Sequence, residues 1–200
     1  MQGSISRVRA DLYRVLSTLY APPSKDCKDV REALTRIPSL IDALRRYGYR
    51  LEWRALELGD CSDYVEEYTR LFVLGDPAPL CPPYESIMLG HEQLMAEPAL
   101  RVIESYRAMG FQVSEESPIP PEHIAVELEF MYILAILDSN PEVARHELAF
   151  LEEHLAFWAG RLASCIEAKS RNPLLIALAR LTRSFTAEDH RILSKVVGGL

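Results

Sequence analysis

The chain has few of the features that mark a β-rich, membrane-spanning or phosphate-binding protein. Only nine of its 200 residues are glycine, and alternating runs of β-branched residues are scarce, which argues against a β-rich fold. No apolar run approaches the length of a membrane span, so stable membrane insertion is not expected. The sequence also has no glycine-rich phosphate loop, no GxSxG turn and no HExxH motif. These absences favour a binding protein over an enzyme.

The cysteines show no recognisable chemical motif. They form neither a CxxC pair nor a metal-ligand spacing, and are Cys27, Cys61, Cys81 and Cys165. We therefore expect reduced, mostly buried thiols in a cytoplasmic protein, with Cys81 the one whose loop position allows exposure. His146, Glu153 and His154 lie close together in sequence, but no further ligand completes a zinc site, so no metal is expected.

Acidic residues outnumber basic ones. The formal net charge is −7, and the sequence pI is near 5.3. This balance disfavours nucleic acid and anionic membranes as partners, because both are polyanions, and mildly favours a cationic partner. Judged on charge alone, an acidic surface that serves only solubility is the better explanation.

Apolar residues recur at helical spacing along most of the chain. The longest such stripe is Ala144, Leu148, Leu151, Leu155, Trp158, Leu162 and Cys165. With 48% apolar residues, the pattern predicts one all-α domain over residues 1–200, a bundle of about ten helices. Residues 111–120 show no period and are predicted to be a loop, which forms the best candidate for a hinge between two helical sub-bundles.

Several helix boundaries are predicted from capping residues and prolines. Ser4 caps the first helix, Pro38 starts a new one, and residues 49–58, including Leu56, are expected to be helical. A helix is also predicted from Tyr84 to Met95. A turn at Ser139-Asn140-Pro141 is expected to be followed by a new helix. Near the C-terminus, one helix is expected from Pro173 to Leu181. Another is expected to begin at the capping box Thr186–Asp189.

Residues 63–90 form the most distinctive stretch. A helical stripe of aromatic and aliphatic residues, which includes Tyr64, Tyr68, Leu71 and Phe72, runs into four prolines, Pro77, Pro79, Pro82 and Pro83. Such a stiff loop loses little entropy when it binds a partner, which suits a recognition surface. Prolines that merely end a helix account for the loop about as well.

A second distinctive stretch begins at Pro121. His123 and Glu127 are one helical turn apart, so the carboxylate is predicted to hold the ring and raise its pKa. Glu122 falls in the first turn, where the helix dipole favours a negative charge. A capped helix start with an ordinary side-chain pair is the simpler alternative.

Three blocks of sequence together resemble the TorD/DmsD/NarJ family of cytoplasmic chaperones, which mature molybdenum-containing redox enzymes. The first is Tyr68-x-x-Leu71-Phe72, then the proline loop, then Pro83-Tyr84-Glu85-Ser86. The second is Pro121-Glu122-His123, then Glu127-Leu128 and Phe130-Met131, with Glu122 where the family has aspartate. The third runs from Phe150 through Glu153-His154-Leu155 to Trp158.

The resemblance implies a cytoplasmic chaperone dedicated to one molybdoenzyme. It would bind the twin-arginine signal peptide, or an N-terminal region, of the catalytic subunit. It would also assist insertion of the molybdopterin guanine dinucleotide cofactor and delay export. The client-binding residues are then expected to be Tyr68, Leu71, Phe72, Pro83, Tyr84, Glu85, Ser86, Glu122, His123 and Glu127. The apolar ones, with Ile87, would form a groove, the glutamates would pair with arginines, and His123 would orient a carboxylate or titrate.

Two alternatives stay open. The resemblance leaves room for weak binding of GTP or of molybdopterin guanine dinucleotide, although no tightly bound cofactor is expected. A plain helical adaptor is the other alternative. The chain is expected to be a monomer or a dimer that swaps domains through the hinge at 111–120.

Overall fold

The fold is an all-helical bundle, as the sequence predicts. The computed structural model describes residues 2–55, 57–75, 78–137 and 140–199, and side chains from residue 5 onward within them. The α-helices in these ranges are α1 (Gln2–Tyr20), α2 (Lys28–Arg46), α3 (Cys61–Phe72), α4 (Glu85–Met88), α5 (Glu97–Ala108), α6 (Ile124–Leu137), α7 (Pro141–Phe150), α8 (Ala156–Lys169) and α9 (Pro173–Val197). A π-helical turn, Leu151–Leu155, joins α7 to α8.

Helix α1 lies at the centre of the bundle. It packs against α2, α6 and α9, and buries a continuous apolar face that includes Leu12, Leu16 and Leu19. Its main neighbour, α6, is apolar on nearly all sides, with Leu128, Met131 and others buried. A helix of this composition is stable when other helices surround most of it.

Two predicted helix breaks are wrong, because packing continues through them. Helix α2 contains Pro38, and its buried residues continue on both sides of the proline as Ile37, Leu40, Ile41 and others. Burial of this stripe outweighs the backbone hydrogen bond that a proline removes. Likewise α9 runs without interruption to Val197. Thr186 does not cap a helix, since its hydroxyl donates to the Thr182 carbonyl one turn earlier.

Two predicted helices are absent or shorter. Residues 49–55 and 57–60 are not helical. The backbone N–H of Arg50 donates to Glu188 and that of Glu52 to Ser184, so side chains of α9 replace the hydrogen bonds of a helix. The helix predicted to reach Met95 ends at Met88. It is followed by Gly90 at φ 97°, a conformation that suits glycine.

Some predicted features have other outcomes. The loop at 111–120 is non-helical, as expected, while its role as a hinge stays a prediction. Asn140 caps α7 by accepting from the Glu142 N–H. The predicted helix start at Ser4 is wrong, because α1 already begins at Gln2. The Ser4 side chain, Leu56, Pro77 and Ser139 lie outside the described groups. No helix within the described ranges combines the length and the apolar character needed to cross a membrane.

A buried ionic cluster joins α1, α7 and α9. Arg9 donates through Nε and Nη2 to the Asp189 carboxylate, at 2.6 and 2.9 Å, and through Nη2 to Glu147 at 2.6 Å. The hydroxyls of Tyr13 and Tyr49 donate to the same aspartate, each at 2.6 Å. Burial and Asp189 raise the pKa of both tyrosines, so both stay protonated as donors.

The expectation of reduced thiols is wrong for this structure. Cys27 bonds to Cys61, and Cys81 bonds to Cys165, with Cα atoms 5.8 Å apart in each pair. Cys81, whose loop position allowed exposure, is fully buried. The first disulfide ties the start of α2 to the start of α3, and the second ties the proline loop to α8. Spacing alone could not indicate either pair, because the partners are 34 and 84 residues apart.

Replacing Arg9 by methionine is expected to destabilise the fold by about 3–5 kcal/mol, because two carboxylates lose their buried cation. Urea unfolding of the oxidised protein measures the change. The control is Arg36→Met, which removes a half-exposed pair with Asp11 and should cost no more than about 1 kcal/mol. Equal losses in the two variants would contradict a structural role for the buried cluster.

Both disulfides should be detectable in the purified protein. Thiol titration in denaturant should find no reactive thiol before reduction and four after it, given four cysteines in two bonds. Replacing either pair by serine is expected to lower the free energy of unfolding by about 2–4 kcal/mol, because the unfolded chain gains freedom. Four reactive thiols in the unreduced protein would show that the bonds do not form.

Candidate functional site

The first two sequence blocks meet through a short antiparallel pairing of backbone. The Glu85 N–H donates to the Glu122 carbonyl at 3.0 Å, and the Ile124 N–H donates to the Pro83 carbonyl at 3.0 Å. Tyr84 and His123 face each other across this bridge, with ring centroids 5.2 Å apart. Tyr84 and His123 are nearly 40 positions apart in the chain. Their segments therefore form one local structure despite this separation.

Glu122 reinforces the pairing with its side chain. Its Oε2 accepts the backbone N–H of Ser86 at 2.8 Å, and its Oε1 accepts the backbone N–H of Met95. The carboxylate is completely buried, and both oxygens are used to hold main chain. Met95, at φ 58°, has a left-handed conformation that is strained for a residue with a side chain. The hydrogen bond that the Met95 N–H donates to Glu122 helps to hold it there.

His123 has a different partner from the one predicted. Its Nδ1 accepts the Ala125 N–H at 3.0 Å, so the ring caps the start of α6. Burial lowers the pKa of His123 to about 4, where the sequence predicted an increase caused by Glu127. At neutral pH the ring is uncharged, which an acceptor nitrogen requires.

The third block is joined to the other two by side-chain hydrogen bonds. His154 lies in the π-helical turn, and its Nδ1 is 3.1 Å from both carboxylate oxygens of Glu85. One turn later, Trp158 donates its indole N–H to Oε2 of Glu127 at 3.0 Å. A π-helical turn changes which side chains face inward, and here both side chains reach buried carboxyl groups. The three blocks thus share one buried polar network.

Glu127 lies at the centre of this network, where its surroundings favour the protonated, neutral form. Burial and the nearby Glu85 carboxylate raise its pKa well above the ordinary value, while the bond from Trp158 opposes that increase. Glu85 and Glu127 are both fully buried. A proton on Glu127 avoids placing another negative charge beside Glu85.

A cleft of about 250 Å³ opens on the outer side of the bridge. It lies between the ends of α1 and α3, the proline loop and the 111–120 segment. Its walls are aromatic, aliphatic and proline side chains, together with one neutral histidine. They are Pro22, Tyr68, Phe72, Val73, Pro79, Tyr84, Pro118, Ile119 and His123. We call this the recognition cleft.

The recognition cleft brings together part of the predicted site. Tyr68, Phe72, Tyr84 and His123 line it, whereas Leu71, Pro83 and Ser86 are buried beneath them. The predicted arginine partners, Glu85, Glu122 and Glu127, are fully buried and bonded internally. Ile87 does not line it. The assignment of these residues to client binding stays a prediction.

Some lining residues were missed by the sequence analysis. Pro22 follows α1, and Pro118 lies in the 111–120 segment; neither belongs to the sequence blocks. Val73 and Ile119 flank them in the cleft. What these residues share is only that they are prolines or aliphatic side chains outside the sequence blocks. Such residues indicate a binding site only once the fold places their segments together. Among the described residues, no group of three His, Cys, Asp or Glu side chains is arranged to hold a metal ion.

His123 should make stability depend on pH. Its pKa is about 4 in the fold, against 6.5 ordinarily, so the unfolded chain binds more protons between these values. The free energy of unfolding should therefore fall by up to about 3 kcal/mol as pH decreases from 6.5 towards 4. Urea unfolding across this range measures it. His123→Asn keeps a capping oxygen without the titration and should remove this component; an unchanged pH profile would contradict the assignment.

Several known proteins and one family are similar to this chain. The family model described as nitrate reductase delta subunit matches residues 25–164. The chaperone protein TorD of Vibrio cholerae is 27% identical over 181 residues, 87% of this chain and 74% of that protein. TorD of Shewanella oneidensis is 25% identical, over 96% of this chain and 94% of its own length.

A solved structure agrees with these relatives. A protein described as a redox enzyme maturation protein, from Archaeoglobus fulgidus, superposes with a TM-score of 0.61 at 25% identity, covering 90% of this chain and 93% of the other. The prediction of a chaperone and not an enzyme is confirmed by the relatives. The chain belongs to the nitrate reductase delta subunit family, and with it to the TorD/NarJ chaperones that the three sequence blocks indicated.

Proposed function

We propose that this chain binds the twin-arginine signal peptide, or the N-terminal segment, of a molybdoenzyme catalytic subunit in the cytoplasm. While bound, the segment is kept from the export machinery until the molybdopterin guanine dinucleotide cofactor is inserted. The observation that supports this most is the convergence of the family's sequence blocks on one open cleft. Tyr68, Phe72, Tyr84 and His123 come from two of the blocks and line its walls.

The chemistry of the cleft fits the apolar part of a signal peptide. Such a peptide has a basic stretch followed by an apolar one. The described walls carry aliphatic, aromatic and proline side chains and no carboxylate, so they favour apolar side chains over arginine. Pro22, Pro79 and Pro118 hold their backbones in restricted conformations, which reduces the entropy lost on binding.

The buried polar network supports this cleft from below. The Tyr84 and His123 rings lie on the paired segments, and the Glu122 carboxylate accepts the backbone N–H groups of Ser86 and Met95, which follow the first of these segments. Glu85 and Glu127 are bonded in turn to the helix that carries the third block. In this proposal the network acts as a positioning device, which keeps the aromatic walls in place before the peptide arrives.

Weak binding of GTP or of molybdopterin guanine dinucleotide stays a prediction. It is a separate property from peptide binding, and calorimetry with each ligand tests it directly. Heat of binding at millimolar ligand would support it, and none at that concentration would remove it.

Replacing Tyr84 by alanine should weaken binding of the client's signal peptide by roughly tenfold or more, because Tyr84 presents an aromatic wall of the cleft. Fluorescence anisotropy with a labelled signal peptide from a molybdoenzyme of the same source measures the change. Phe157→Ala is the matched control, since Phe157 is an aromatic that is 57% exposed on α8 and outside the cleft. Equal affinities in the wild type and Tyr84→Ala would contradict the location of the site.

A further inference from the structure

A second groove lies on the other side of the 111–120 segment. It has a volume of about 340 Å³ and is formed where this segment crosses α5 and α6. Its floor is apolar and rich in aromatic side chains: Tyr106, Phe111, Val113, Val126, Phe130 and Ile133. None of its lining residues belongs to the recognition cleft.

Exposed carboxylates stand around this groove. Glu129 lines it directly, and Glu115 and Glu116 form the tip of a turn whose flanking residues, Ser114 and Ser117, also line it. All three glutamates are exposed. Within the described part of the chain, none of the three takes part in a salt bridge. The groove therefore combines an apolar floor with one glutamate on its wall and two in the turn beside it, none of them in a salt bridge among the described residues.

We propose that this groove holds the arginine pair of the client's signal segment; the inference rests on the function proposed above. We call it the arginine groove. An arginine side chain is apolar along its methylenes and charged at its end. Its guanidinium stacks on aromatic rings and forms paired hydrogen bonds with carboxylates. An aromatic floor below a carboxylate rim offers both contacts at one place.

The two sites are adjacent, as one continuous peptide requires. Ser117 lines the arginine groove and Pro118 lines the recognition cleft. His123 and Val126 belong to opposite sites but are one helical turn apart at the start of α6. An extended peptide advances about 3.3 Å per residue, so a few residues between the arginines and the apolar stretch would cross the segment that separates the sites.

This arrangement also assigns charge recognition to residues that a peptide can reach. Glu85, Glu122 and Glu127 have no exposed surface and already hold internal partners. Placing guanidinium groups against them would require opening the bridge between the first two blocks. The rim glutamates need no such change.

The test uses three labelled peptides that share one apolar segment and begin with paired arginine, paired lysine or paired alanine. Each is titrated against the wild type, the triple variant Glu115→Gln, Glu116→Gln, Glu129→Gln, and the variant Tyr84→Ala. A control triple variant, Glu32→Gln, Glu57→Gln, Glu66→Gln, removes the same charge from exposed glutamates elsewhere. Anisotropy at low and high salt gives the affinities.

The rim variant should bind the arginine peptide roughly 2- to 30-fold more weakly, the size of two exposed ion pairs, and lose most of its salt dependence. It should bind the alanine peptide as the wild type does. The lysine peptide should bind wild type more weakly than the arginine peptide, because ammonium groups do not stack or pair in the same way. Tyr84→Ala should weaken the arginine and alanine peptides alike.

Two results would overturn the inference while leaving the proposed function intact. One is an unchanged affinity of the rim variant for the arginine peptide, with Tyr84→Ala still weakening it. The other is an equal loss in the control triple variant, which would reduce the effect to net charge. If the wild type binds none of the peptides, the inference and the proposed function both fail.

Discussion

The backbone bridge between residues 83–85 and 122–124 is the constraint on which the recognition side of this molecule depends. Its two hydrogen bonds join segments that are distant in the chain, and a buried carboxylate, Glu122, binds the backbone N–H groups of Ser86 and Met95 beside it. Several residues of the site are attached to this bridge: Tyr84 and His123 project from it into the cleft, and Glu85 bonds to the π-helical turn. Buried carboxyl groups are costly, and here their hydrogen bonds specify one arrangement of three sequence blocks.

Much of the fold could be predicted because apolar periodicity records which face of each helix is buried. The stripe from Ala144 to Cys165 predicts a helical seam, and most of its members are buried. Helix-breaking and helix-capping residues were less informative. Pro38 and Thr186 suggest helix boundaries, but the helices continue through both positions because their buried faces stay packed. Residues 49–58 are predicted to be helical, yet in the structure side chains of α9 accept the backbone N–H groups of Arg50 and Glu52. Contacts of that kind are invisible until the fold is known.

The functional site, like the fold, could be predicted only in part from the sequence. Sequence identified the aromatic residues that line the recognition cleft, because Tyr68, Phe72 and Tyr84 belong to recognisable blocks. Sequence could not distinguish buried acids from exposed ones. Glu122 and Glu127 occupy the start of a helix, where surface exposure is the usual outcome, but the bridge and Trp158 draw them inside. The exposed acids, such as Glu115 and Glu116, lie in a segment with no motif, and only the fold shows that they stand beside a groove.

The second disulfide has a consequence for how copies of this chain could assemble. Cys81 precedes the 111–120 segment and Cys165 follows it, and they are bonded within one chain. The segment is therefore part of a closed covalent ring, and the two halves of the molecule are fastened together on both sides of it. A swap that exchanges the C-terminal half between copies would require this ring to open first. In an oxidising solution the protein is thus committed to folding on itself, and only a reductant could release the halves for exchange.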